Sequence, residues 1–121
     1  MNEEDRITDL SYMTGVVNTM GRDDDLDLWY TRHCIERQEE RGITTLDIIN
    51  VLKYGRVVEY IGKGSHPTNN KIHKYKITGE YLGNNTSIRE ISLILLIEVD
   101  RFKNPAIKIQ KVITAMWEDI K

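Results

Sequence analysis

The chain has 121 residues, a length typical of one domain with its own hydrophobic core. Apolar residues make up 40% of it and charged residues 30%, which excludes both a disordered chain and a membrane protein. Its longest apolar run, Ile91–Val99, is too short to span a bilayer and contains Glu98. The start, MNEEDR, lacks the apolar segment of a signal peptide, and a single cysteine excludes an internal disulfide and a four-cysteine zinc site. We therefore expect a cytoplasmic protein.

The net charge of −2 is unevenly distributed along the chain. Residues 1–27 carry eight acidic and two basic side chains, for a net charge of −6, whereas the remaining residues have a net charge of +4. A mildly basic body permits an anionic partner without requiring one. We expect a single domain over residues 1–121, with an acidic N-terminal helix and loop (1–27), a helical motif (28–55) and a sheet (56–117).

The N-terminal part is predicted to be helical over residues 4–20. Apolar residues recur there at spacings of three and four, which places them on one stripe of a helix. They are Ile7, Leu10, Met13, Val17 and Met20. The three aspartates at 23–25 can suggest a divalent-metal site, but no EF-hand spacing follows them. We predict that Gly21 ends the helix and that residues 21–27 form an exposed loop without a metal.

Two further helices are predicted from capping signals, after a short extended segment over residues 28–30. A threonine that precedes each helix can accept a hydrogen bond from a backbone amide of its first turn, and a glycine follows each helix. The signals are Thr31 and Gly42 for residues 32–41, and Thr44, Asp47 and Gly55 for the stretch to about Tyr54.

After residue 55 the apolar pattern changes from helical to alternating. Over residues 71–78, the side chains at 72, 74 and 76 are predicted to point to one face and those at 73, 75 and 77 to the other. The run over 91–99 is apolar on both faces, which is typical of a central strand covered on both sides. The predicted strands are 56–61, 71–78, 91–99 and 107–115, with a tail over 117–121. The predicted fold class is α+β, with N-terminal helices packed on one face of a small antiparallel meander sheet.

The helical motif contains the first half of a candidate site. His33, Arg37 and Arg41 stand at i, i+4 and i+8 of the predicted helix and therefore share a face. Arginine offers a fork that matches phosphate oxygens, and histidine titrates near neutral pH, so this stripe is a candidate polyanion site. The alternative is that the arginines form surface ion pairs with neighbouring acids, which contribute little energy. Cys34 is more typical of a buried side chain than of a nucleophile.

This stretch resembles a known bacterial family. His33, Arg37 and the segment Arg41-Gly42-Ile43 follow the pattern H-x-x-x-R-x-x-x-R-G-I. After the next helix, Gly55, Val57, Val58 and Tyr60 match the strand pattern of the same family. Together they resemble the domain of unknown function 4258, over about residues 5–117 and most specifically over 30–60. Cys34 departs from the alanine that usually follows the histidine in that family.

The resemblance implies a similarity to the RelE, MqsR and BrnT toxins, small α+β proteins that cut mRNA without a metal or other cofactor. Those toxins use lysine, arginine, histidine and tyrosine to activate a ribose 2′-hydroxyl and to stabilise the charge that develops around phosphorus. The resemblance therefore implies RNA as a partner, and a cognate antitoxin or another protein partner beside it.

The strand over residues 71–78 is the best candidate for the second half of such a site. Together with Lys63 and His66, the segment 63–76 contains four lysines, two histidines and no acid, and it is the most basic part of the chain. The alternative is an edge strand that its lysines protect from aggregation, or one that a protein partner extends with a strand of its own.

Two functions from different classes remain open. The first is a toxin-like, metal-independent RNA endonuclease, and the second is a non-catalytic protein-binding or regulatory module on the same fold. The basic segment favours the first, whereas an isoelectric point near 5.9 favours the second, because such toxins are usually strongly basic. For the endonuclease, the catalytic candidates are His33, His73, Lys74 and Tyr75, and the RNA- or phosphate-binding candidates are Arg37, Arg41, Lys63 and Lys76.

Overall fold

The computed structural model describes residues 3–23, 26, 28–63, 71–80, 89–100, 102 and 107–119. Within these ranges, four helices come first along the chain and four strands follow. The helices are α1 (Glu3–Thr8), α2 (Leu10–Gly21), α3 (Arg32–Arg41) and α4 (Thr45–Tyr54). The strands are β1 (Arg56–Lys63), β2 (Ile72–Glu80), β3 (Arg89–Val99) and β4 (Ile107–Asp119). The predicted α+β class is confirmed.

The single helix predicted over residues 4–20 is in fact two helices, because Asp9 interrupts it. Asp9 has extended backbone angles (φ −82°, ψ 104°), and its carboxylate accepts a hydrogen bond from the Tyr12 amide at 3.1 Å. It therefore caps the N-terminus of α2 and gives one of the first amides of that helix a partner. The apolar stripe continues across the break, since Ile7 and Leu10 both pack against the core.

The capping signals of α3 and α4 act as predicted. The Thr31 hydroxyl oxygen accepts a hydrogen bond from the Cys34 amide, and Gly42 ends α3 in the left-handed conformation at φ 67°. Residues with a side chain adopt that conformation at a cost, so glycine suits this position. Thr44 and Asp47 form a reciprocal capping box at the start of α4. Both helices are confirmed.

The four strands form one antiparallel sheet in the order β1-β2-β3-β4, which confirms the meander. β2 lies inside the sheet between β1 and β3, so the alternative of an edge strand at this position is wrong. β4 includes Trp117, which pairs with Ile91, so the predicted tail from residue 117 is wrong as well. Two register shifts interrupt the alternation of side chains along β4, and the pattern therefore did not predict its last residues.

The helices pack against one face of the sheet. On that face, Tyr75 and Ile77 of β2 and alternate residues of the other strands join α2 and α4 in one core. On the other face, Ile94 and Leu96 of β3 are half-buried and no described helix covers them. β3 is therefore central, and the described helices cover one of its faces. On its other face Ser92 and Glu98 are buried as well, so the prediction of two covered faces is confirmed in part. We call the side that carries Ile94 and Leu96 the open face.

Both edges of the sheet are irregular or occupied. β1 contains two bulges, which disturb the row of backbone groups that another strand would need. At the outer edge of β4, Tyr30 forms a parallel bridge with Val112. The Thr31 hydroxyl also donates a 2.8 Å hydrogen bond to the Ile113 carbonyl. The segment before α3 therefore covers part of the β4 edge.

Candidate functional site

Two of the predicted catalytic residues, His73 and Tyr75, lie on the helix-covered face of β2. Tyr75 is fully buried, and its hydroxyl donates a 2.6 Å hydrogen bond to the Ile7 carbonyl of α1. His73 is also buried, and its Nδ1 atom lies 2.9 Å from the Tyr60 hydroxyl of β1. The structure therefore places both side chains in contacts that hold neighbouring elements together, and it does not present them to solvent.

Burial makes the tyrosines of this cluster poor proton-transfer groups. Burial raises the pKa of the Tyr75 hydroxyl well above its usual value, and the nearby Tyr60 raises it further. Burial likewise raises the pKa of Tyr60, whose ring packs edge to face on Tyr75 with 5.3 Å between the ring centroids. Both hydroxyls therefore remain protonated at neutral pH.

The predicted stripe on α3 lies beside β4, two strands away from β2. His33 is exposed near the start of the helix. Arg37 forms a 2.6 Å ion pair with Glu40, as the surface-pair alternative predicted. Arg41 donates a 2.6 Å hydrogen bond from Nη1 to the Ala115 carbonyl of β4. Arg37 and Arg41 are therefore engaged within the protein, and the stripe is not joined to the residues of β2.

The open face presents lysines from β2 and β4. Lys74 on β2, Leu96 on β3 and Lys111 on β4 stand directly opposite one another in the strand register. The neighbouring row ends in Lys108 on β4, opposite Glu98 of β3. Because adjacent strands are about 4.8 Å apart, the Cα atoms of Lys74 and Lys111 are separated by about 10 Å. Two cations therefore stand on either side of the half-buried Leu96.

Lys74, Lys108 and Lys111 have no carboxylate partner among the side chains that the structure describes. By contrast, Lys76 is paired with Glu118 at 2.7 Å. An unpaired ammonium can bind a phosphate without first giving up another partner, so these three residues form the strongest anion-binding feature of the open face. We call them the lysine cluster.

The Lys76–Glu118 pair lies on a small polar network. Ser92 is fully buried although it belongs to the open face, and its hydroxyl is hydrogen-bonded to the Thr78 hydroxyl at 2.8 Å. Ser92 also donates to Glu118, but the hydrogen bond from Lys76 is the largest cause that lowers the pKa of the Glu118 carboxyl. Glu118 therefore remains ionised down to more acidic pH than a free glutamate.

The far end of the open face is acidic. The register places Glu80, Glu90 and Glu118 opposite one another on β2, β3 and β4. Arg56 lies 4.0 Å from Glu90 and offsets part of this charge. Like charges directly opposite each other on a sheet repel, and an approaching anion meets the same repulsion. An anionic ligand is therefore directed toward the lysine cluster and away from this end.

Other predicted features lie partly outside the described residues. Lys63 is the last residue of β1, opposite His73, but its side chain is outside the described part of the chain, as are Asp24 and Asp25. Among the described residues, no group of three or more histidine, cysteine, aspartate or glutamate side chains could hold a metal ion. Cys34 is fully buried, and burial raises the pKa of its thiol, which disfavours a reactive thiolate.

Sequence reasoning missed Lys108 and Lys111. Each precedes a residue that points into the core, Ile109 after Lys108 and Val112 after Lys111. The alternation of a lysine with a buried apolar residue was the signal that could have identified both lysines. However, the bulge at Gln110 adds one residue between them, so the two-residue alternation of side chains does not continue from Lys108 to Lys111. Of the predicted residues whose side chains are described, the open face carries Lys74 and Lys76 alone.

Comparison with known proteins places the chain in a family without assigning an activity. No described helix is long and apolar enough to cross a membrane. Neither a curated protein nor a solved structure gave a match. A family described as "Domain of unknown function (DUF4258)" matches residues 30–117, a segment that contains α3, α4, the first three strands and β4 as far as Trp117. The chain therefore belongs to the DUF4258 family of domains of unknown function.

Proposed function

We propose that this chain is a toxin-like, metal-independent RNA endonuclease that holds the RNA backbone on the lysine cluster of the open face. The observation that carries the proposal is the placement of Lys74 and Lys111, which flank Leu96 without an ion-pair partner among the described side chains. Lysines that neutralise phosphates release the counterions of the nucleic acid, which gives binding that depends strongly on salt. The RNA backbone crosses the open face from β2 to β4, away from the acidic end of that face.

The reaction requires no nucleophile from the protein, because the RNA supplies its own. The ribose 2′-oxygen attacks the adjacent phosphorus, the bond from phosphorus to the 5′-oxygen breaks, and a 2′,3′-cyclic phosphate and a 5′-hydroxyl are formed. The proton of the 2′-hydroxyl passes to a base, and the leaving 5′-oxygen receives a proton. Lys74 and Lys111 stabilise the negative charge around phosphorus, and a lysine ammonium protonates the leaving oxygen.

Glu118 lies in the acidic row at the far end of the open face and is paired with Lys76, so it does not reach a phosphate on the lysine cluster. Solvent water accepts the proton of the 2′-hydroxyl, and because water is a weak base we expect slow turnover. In this proposal His73 and Tyr75 have structural roles, because both are buried and hydrogen-bonded inside the protein. Of the residues predicted from sequence, Lys74 keeps a place in the site, whereas Lys76 is paired with Glu118.

A non-catalytic protein-binding module on the same fold is the second candidate. Val58 and Ile61 are exposed on the bulged edge strand β1, and exposed apolar side chains on a sheet edge are typical of protein contacts. The net charge of −2 also suits a protein partner better than RNA. Such a module would bind its partner through β1 and would not depend on the lysine cluster.

The test is cleavage of single-stranded RNA by the purified protein in the presence of EDTA. Wild type is compared with the double variant Lys74→Ala/Lys111→Ala. Lys53→Ala is the matched control, because Lys53 lies on α4, on the helix side of the sheet. The same oligonucleotide with deoxyribose at every position is the chemical control, because it lacks the attacking 2′-hydroxyl.

We expect wild type and Lys53→Ala to cleave the RNA, and the deoxyribose oligonucleotide to stay intact. The double variant should lose about 100-fold in rate, the scale expected when charge stabilisation is removed from such a reaction. A folded double variant with wild-type activity would exclude the lysine cluster as the site. Intact RNA with folded wild type would overturn the endonuclease and favour the protein-binding module.

A further inference from the structure

Trp29 lies at the outer edge of β4, next to the lysine cluster. The Val112 amide donates a 2.8 Å hydrogen bond to the Trp29 carbonyl, and the Thr31 amide donates a 3.1 Å hydrogen bond to the Val112 carbonyl. These two bonds make the parallel bridge between Tyr30 and Val112. In the same register, Trp29 stands beside Lys111.

Alternation along the chain places the Trp29 and Lys111 side chains on the same side of the sheet. Tyr30 packs against the core and Val112 is fully buried, so their neighbours point away from the helices. In agreement with this, Trp29 is 62% exposed and Lys111 is exposed too. One row of the open face therefore runs through Lys74, Leu96, Lys111 and Trp29.

The fold itself does not account for the Trp29 indole. Among the described contacts, Trp29 takes part through its backbone only. Trp117 is the opposite case, because it is half-buried and its Nε1 donates a 2.8 Å hydrogen bond to the Arg41 carbonyl. Trp29 is a large exposed ring beside cations that have no carboxylate partner among the described side chains. Proteins bind single-stranded nucleic acids by such a combination, since every base offers a face for stacking.

We infer that Trp29 is the stacking platform for an unpaired base of single-stranded RNA whose backbone lies on Lys111 and Lys74. This inference rests on the proposed function, because it requires RNA on the open face. It adds to the proposed function a substrate class, which is single-stranded RNA. A base that is paired in a duplex is stacked on its neighbours and cannot lie on the indole, so single strands and loops are preferred over duplex RNA.

The test measures binding of an oligonucleotide that cannot be cleaved. The probe is a single-stranded oligomer of about eight 2′-O-methyl nucleotides, a length typical of what one single-strand-binding domain covers. A backbone of the same length and charge without bases is the comparison probe, and a 2′-O-methyl duplex is the third. The variants are Trp29→Ala, Trp29→Phe, Lys111→Ala and, as a control for an exposed aromatic side chain elsewhere, Tyr54→Ala, which is 68% exposed on α4.

We expect Trp29→Ala to weaken binding of the single strand by about 5- to 150-fold, and to leave binding of the base-free backbone unchanged. Trp29→Phe should restore most of the affinity, because a phenyl ring still stacks. Trp29→Ala should keep the wild-type salt dependence, whereas Lys111→Ala should make the slope of log K against log salt less steep by about 0.7. Tyr54→Ala should bind as wild type does.

The outcomes separate this inference from the proposed function. If Lys111→Ala weakens binding and Trp29→Ala does not, the lysine cluster binds RNA and the stacking role of Trp29 is refuted. Equal loss of the single strand and of the base-free backbone in Trp29→Ala would also refute stacking. If folded wild type binds none of the three probes, the RNA-directed function fails, and the inference fails with it.

Discussion

Replacing Tyr75 with phenylalanine separates a structural role of its hydroxyl from a catalytic one. The ring is fully buried, and the hydroxyl donates a 2.6 Å hydrogen bond to the Ile7 carbonyl. Phenylalanine keeps the ring, so the change removes a hydrogen bond and creates no cavity. A typical internal hydrogen bond contributes about 1 kcal/mol, and a carbonyl left without a partner in a partly buried site adds to the loss. We therefore expect the free energy of unfolding to fall by about 1–2 kcal/mol, and Tm by about 4–8 °C.

The assay is urea unfolding at neutral pH, with hydrogen exchange of the α1 amides as a local measurement. The exchange of α1 should accelerate, because the lost bond joins that helix to the sheet. Tyr54→Phe is the matched control, and its stability should change by less than about 0.5 kcal/mol, since the side chain is exposed. A Tyr75→Phe protein with wild-type stability and no RNA cleavage would show that the hydroxyl takes part in the chemistry, and it would refute this reasoning.

Two further predictions concern the C-terminal part of β4. Arg41→Met leaves the buried Ala115 carbonyl without its 2.6 Å donor, so the free energy of unfolding should fall by about 1–2 kcal/mol while RNA affinity stays unchanged. Arg37→Met is the control, and it should change the free energy of unfolding by less than about 1 kcal/mol, because Arg37 forms a surface ion pair. RNA affinity that falls with stability unchanged would instead place Arg41 in the binding site. Because Lys76 lowers the pKa of Glu118 in the folded state, the pair stabilises the protein above the ordinary carboxyl pKa, and this contribution disappears as pH falls through the lowered value. The pair is partly exposed, so its contribution is small. In urea unfolding, wild type should lose more stability than Glu118→Gln between pH 7 and pH 3, by less than about 1 kcal/mol. An equal loss in the two proteins would contradict this prediction.

The fold could be predicted where local chemistry decides it. The bounds of α3 follow from Thr31 and Gly42, because capping and left-handed backbone are properties of those residues themselves. The break at Asp9 could not be predicted in the same way, because the apolar spacing from Ile7 to Leu10 continues across it. The residues at the end of β4 were missed because bulges change the side-chain period, and a bulge depends on the partner strand.

The candidate site could be predicted only in part, for a different reason. Alternation separated Lys74 and Lys76 from His73 and Tyr75, and the structure confirms that separation. Alternation alone does not say which face the helices cover, and that choice decides which pair is buried. Lys111 joins Lys74 through β3, which is a long-range pairing that no local pattern encodes.

The bonds between α3 and β4 have a consequence for how the chain matures during its synthesis. Thr31 at the start of the helix and Arg41 at its end are bonded to partners 82 and 74 residues further along the chain. A helix of ten residues is marginal in water on its own. At about 5–20 residues per second, the ribosome needs about 4–16 s to add the residues between them. A chain that stalls before residue 113 therefore contains the complete helical motif in its sequence but lacks the strand that holds it.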